Sequence, residues 1–129
     1  MKYILMMHVS KEGYGVFGAW TEKDIQANIA CVKALNKALT ESGEFVSAEG
    51  LAFPHQARLV RAGNDGAPIT DGVFPESKEY LAGYLVVDVE SVERAYAIAA
   101  RWSAFPGPGG APLNMAIEVR QVMSGRLEE

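Results

Sequence analysis

Two segments with helical periodicity, each set between strand-like segments, restrict this chain to a small set of mixed folds. Thr21 followed three residues later by Asp24 resembles a capping box, in which each side chain accepts from the other residue's backbone N–H. Ile25, Ile29, Val32, Leu35 and Leu39 then recur at helical spacing, so Glu22 to Glu41 reads as an amphipathic helix. Gly43 supplies its stop, because a residue without Cβ enters the left-handed conformation that closes a helix end. Ser91 caps a second helix with Val92, Ala95, Ala99 and Trp102 on one face and Glu90 and Glu93 near the positive end of its dipole. The run Phe105-Pro106-Gly107-Pro108-Gly109-Gly110 cannot continue it.

The remaining segments favour strands. Residues 2 to 9 carry β-branched, aromatic and long apolar side chains without a breaker, which suits a strand buried on both faces. Alternation sends Tyr3, Leu5 and Met7 one way and Ile4, Met6 and His8 the other. The Gly-rich stretch from Gly13 to Gly18 reads as a loop carrying aromatics that could cover a site. Glu44 to Phe53 and Ala57 to Arg61 are strand-like, and the short connection Pro54-His55-Gln56 predicts a hairpin between them. Asn64-Asp65-Gly66 signals a turn into a brief strand at Pro68 to Thr70, and Asp71 to Glu79 reads as a functional loop. Tyr80 to Val89 and Met115 to Val122 complete the set.

The order β-α-β-β-(β)-β-α-β predicts an α+β, ferredoxin-like βαββαβ fold with extra hairpin strands and both helices on one face of an antiparallel sheet. At 129 residues the chain suits a single domain, expected over 1–124 with a solvated tail at 125–129. Two helices cover one sheet face only, and the other is apolar on the first and fifth strands, so a homodimer enclosing an inter-subunit cavity is expected.

A net charge of −4 argues against a nucleic-acid partner. The apolar start is interrupted by His8 and followed by Ser10-Lys11-Glu12, so it reads as a strand and not a secretory leader. No apolar run approaches the ~20 residues of a membrane span, and the lone Cys31 suits a reducing compartment, so the cytoplasm is expected.

The run Thr70-Asp71-Gly72-Val73-Phe74-Pro75-Glu76-Ser77-Lys78-Glu79 is similar to the signature of the YCII-related, or DGPF, family. Met1-Lys2-Tyr3, Glu49-Gly50-Leu51 with Pro54 behind it, and Ile117-Glu118-Val119-Arg120-Gln121-Val122 extend the resemblance over almost the whole chain. It implies a dimeric ferredoxin-like α/β barrel. Val73 stands where the family usually has Pro, and Pro75 where Ala is common. Some members carry a His and Asp pair, with the His in the first helix of shorter members; here that helix has none. Asp71 matches the signature Asp, and its partner is missing unless His8 replaces it.

Each candidate has a plain structural reading beside the functional one. Asp71 either accepts hydrogen bonds from its own loop as an Asx-turn or acts as a general base at a cavity mouth. His8, a histidine on a predicted core strand, is either its catalytic partner or a satisfied strand residue. Glu118 and Arg120 share the face away from the helices, where they form an ion pair or grip a carboxylate ligand. Trp20 walls a pocket or staples the helix, and Phe74 belongs to the loop shaping a ligand site. His8, Cys31 and His55 lack ligand spacing, so neither a metal nor an organic cofactor is expected. Two functions remain open: a cofactor-independent acid/base enzyme, of isomerase or lyase type, acting on a small organic substrate, and a non-catalytic small-molecule binding or regulatory module.

Overall fold

A computed structural model describes residues 1–10, 18–72 and 79–123. Its elements run β1 (Lys2–Ser10), α1 (Glu22–Ser42), β2 (Phe45–Gly50), β3 (Arg58–Ala62), β4 (Pro68–Gly72), β5 (Glu79–Asp88), α2 (Val92–Ser103) and β6 (Ile117–Gln121). β2, β5, β1 and β6 lie side by side in that order as a four-stranded antiparallel sheet. The two inner strands are the first strands of the two β-α-β halves, which is the ferredoxin-like arrangement expected of the element order.

Both helices begin as the sequence predicts. At α1, Thr21 Oγ1 accepts from the Asp24 N–H at 3.1 Å and Asp24 Oδ2 accepts from the Thr21 N–H at 3.0 Å. Gly43, with φ of 81°, closes the other end. At α2, Ser91 Oγ accepts from the Arg94 N–H.

The core joins the helices to one face of the sheet: Leu35 and Leu39 from α1 and Ala95, Ile98 and Ala99 from α2 meet Tyr3, Leu5, Leu85 and Val87. Below it, Arg94 of α2 makes two 2.8 Å hydrogen bonds to the Glu44 carboxylate, tying α2 to the start of β2. That fork holds the Glu44 carboxyl below the usual glutamate range.

The opposite face carries no helix among the described residues. Register places Ser47, Val86, Ile4 and Arg120 in one row across it, and Glu49, Tyr84, Met6 and Glu118 in the next. Ile4 and Met6 are half-buried where a strand enclosed on both sides was expected, because the described chain packs only one side of β1.

The hairpin expectation is corrected. β2 pairs with β5, and β3 pairs with β4 in a separate two-stranded sheet. Pro54–Gln56 is a short 3-10 turn, in which the fixed φ of Pro54 suits the first helical position and takes the chain away from β2. β4 also runs on to Gly72, so Asp71 lies within a strand and not at the start of a loop. No helix among the described residues is long and apolar enough to cross a membrane. Most of the expected Gly-rich cover, most of the loop after Asp71 and the C-terminal tail lie outside the described residues.

Candidate functional site

The apolar stripe of α1 is longer than the core that receives it. Leu35 and Leu39 are 3% and 1% exposed, whereas Ile25, Ile29 and Val32 are 44%, 46% and 38% exposed. An apolar helix face normally closes on the sheet, and here its N-terminal half stands over an open cleft.

The cleft has two lobes that share Met7 of β1, Trp102 of α2 and Phe105. The larger, of about 390 Å³, is walled by Ile25, Asn28 and Ile29 of α1 together with Trp20, Phe53 and Leu113. The smaller, of about 270 Å³, runs beneath Val32, Leu35 and Asn36 to the backbone of β2 and β5. There Gly50 and Gly83 are cross-strand partners, and the missing side chain of Gly50 leaves open space. Ligand pockets typically hold ~300–1,000 Å³, so the lobes together are of ligand size.

Polar contacts join the loop after α2 to the first half of α1. The Asn28 amide nitrogen donates to the Pro106 carbonyl at 3.0 Å, and the Gly109 N–H donates to Asp24 Oδ1 at 3.1 Å. The loop after α2 therefore grips the first turns of α1 from the side. Hydrogen bonds, that from the Thr21 backbone N–H foremost and that from Gly109 as well, hold the Asp24 carboxyl below the ordinary aspartate range.

The lining is almost uncharged. Trp20, Phe53, Trp102 and Phe105 give it aromatic walls, both tryptophans of the chain among them; Glu49 is the one charged residue among the described residues of either lobe, and the register puts its side chain on the opposite face of the sheet. Such a surface receives an apolar ligand by burial and offers no described cation to an anionic one.

Of the candidates read from the sequence, Trp20 lines the larger lobe. His8 stands on β1 opposite Leu81, just past a register shift, and does not line either lobe. Asp71 is on β4 opposite Leu59, exposed, with its Oδ2 4.0 Å from Arg61 Nε. Among the described residues no hydrogen bond or ion pair joins His8 to Asp71. Glu118 and Arg120 are neighbours on the bare sheet face, 3.8 Å apart and both largely exposed. Phe74 lies outside the described residues. No group of three or more His, Cys, Asp or Glu side chains suited to a metal ion occurs among the described residues.

Sequence reasoning passed over Asn28, Asn36, Gly50 and Gly83. Asn28 and Asn36 stand two turns apart along α1 with Val32 between them, two neutral polar groups beside an apolar stripe. Gly50 and Gly83 are glycines within strands, which mark a close approach or a deliberate gap.

A four-stranded antiparallel sheet of ferredoxin-like order, two helices on one face and a neutral cleft under the first helix define a small α+β domain with a ligand-sized apolar recess. The chain belongs to the YCII-related domain family, whose model matches residues 1–107 and so takes in every element from β1 to α2. No curated protein matches it.

Proposed function

We propose that this chain is a small-molecule binding module whose ligand occupies the cleft beneath the first half of α1. The observation that carries the proposal is the uncovered row Ile25, Ile29 and Val32 facing Met7, Trp102 and Phe105 across a recess of ligand size. Leaving such a row in water forgoes about 25 cal/mol for each Å² that a ligand would bury. His8 and Asp71 line neither lobe, so this reading gives them no part in binding.

The test uses N-phenyl-1-naphthylamine, an uncharged probe that brightens in apolar surroundings. Saturable binding of one probe per chain, with quenching of the emission of Trp20 and Trp102, is expected. Ile29→Asp, which sets a carboxylate on the cleft wall at an exposed position, is expected to weaken that binding at least tenfold while leaving the circular dichroism of the fold unchanged. Binding that does not saturate, or that Ile29→Asp leaves alone, counts against the cleft.

We further propose a homodimer formed through the bare sheet face, where Ile4, Met6, Tyr84 and Val86 form an apolar centre. Within its family we group the chain with members bearing the DGPF signature, on the run from Thr70 to Glu79. The single cysteine fits a cytoplasmic setting.

A further inference from the structure

We infer that the cleft takes an uncharged aromatic molecule bearing a hydroxyl group, recognised by Asn28 and Trp102. This rests on the reading of the cleft as a binding site and adds the chemistry of what binds there.

Asn28 donates through Nδ2 to the Pro106 carbonyl, which fixes which end of the amide is nitrogen, since an oxygen facing a carbonyl oxygen would be repelled. Its Oδ1 is left as an acceptor with no donor among the described residues, on a side chain that lines the larger lobe. Trp102 lines both lobes, and its indole N–H likewise has no acceptor among the described residues. One acceptor and one donor, both neutral, match a hydroxyl, which gives a proton to the first and a lone pair to the second.

The rest of the lining selects against charge. An anion entering the cleft meets no described cation. A cation has aromatic faces to rest on but no carboxylate side chain among the described lining to neutralise it, because Glu49 projects to the opposite face of the sheet. The four aromatic side chains favour a flat ring system over a branched aliphatic one.

Equilibrium dialysis of the full chain against naphthalene, 2-naphthol, 2-naphthoate and 2-naphthyltrimethylammonium tests this on one ring with four chemistries. The naphthol is expected to bind about fivefold more tightly than naphthalene, the gain of a typical buried hydrogen bond, and both ions more weakly than naphthalene. In Asn28→Ala the advantage of naphthol over naphthalene is expected to shrink to less than twofold. In Trp102→Phe, which removes the N–H and keeps an aromatic ring, it is expected to fall while naphthalene is retained. The ratio of the two ligands is the readout, because loss of the clamp on Pro106 alone weakens both ligands equally and leaves the ratio intact. An unchanged ratio in both variants overturns the inference, as does equal wild-type affinity for naphthol and naphthalene or tighter binding of either ion. Naphthalene binding without a preference for naphthol defeats the inference alone. Failure of all four ligands to bind defeats the cleft reading and the inference with it.

Discussion

Gly50 and Gly83 make their contribution by what they lack. They face each other across β2 and β5, beneath Val32, and any larger pair would fill the smaller lobe. The two positions are not equivalent. A Cβ on Gly83 would lie 3.0 Å from the Glu49 carbonyl oxygen, so that strand needs glycine for the approach of its neighbour's backbone. A Cβ on Gly50 meets no atom of the described residues within 4 Å. Gly50→Leu is therefore expected to keep the fold, project into the lobe and reduce N-phenyl-1-naphthylamine affinity several-fold, with unchanged circular dichroism. A variant that binds the probe as well as the wild type would place the ligand elsewhere. Both glycines were visible in the sequence as isolated interruptions of strand patterns, but their meeting depends on a long-range pairing that neither segment discloses.

At the level of elements, local signals were legible and pairings less so. The capping box at Thr21 and Asp24, the stop at Gly43 and the Ser91 cap involve residues three or four apart, and each forms as read. Periodicity also marked the apolar face of α1 correctly, but it identifies a face without saying whether anything covers it, and the cleft lies in that difference. The expected β2–β3 hairpin failed for a related reason: a short connection is a local cue, whereas β2 takes its partner from β5, more than thirty residues on. Asp24 links α1 to the cleft and predicts a pH dependence. Its folded pKa lies below its unfolded value, so its contribution is complete above the unfolded value of about 3.9 and fades as pH falls through the lower folded value. Probe affinity followed from pH 6 downward is expected to hold until about pH 4 and then fall. Asp24→Asn, which keeps an acceptor for the Thr21 N–H and has no charge to lose, is expected to give a flatter profile. Glu44, also depressed through its bonds to Arg94, titrates equally in both proteins, so the difference between profiles isolates Asp24.

Across the whole molecule the sheet separates two surfaces. The helical side holds the core and the cleft; the other presents Ile4, Met6, Tyr84 and Val86 between the charged groups of β2 and β6. Glu118 and Arg120 lie two residues apart on β6, and a two-fold axis crossing the strands between their rows would set each against the other's copy. An isologous interface of this kind needs about 800 Å² from each partner, and the bare face is its natural source. Ile4→Lys tests it, because the new charge sits at the apolar centre with Arg120 as its cross-strand neighbour. Sedimentation at micromolar concentration is expected to give about twice the 13.9 kDa chain mass for the wild type and the single-chain mass for the variant. A wild type sedimenting at 13.9 kDa would rule out this dimer. Since the cleft opens on the helical side, the monomeric variant is expected to bind N-phenyl-1-naphthylamine within about twofold of the wild type. Loss of binding on dissociation would instead mean that the partner chain completes the site, and the ligand would then belong between subunits, in the cavity expected from the open sheet face.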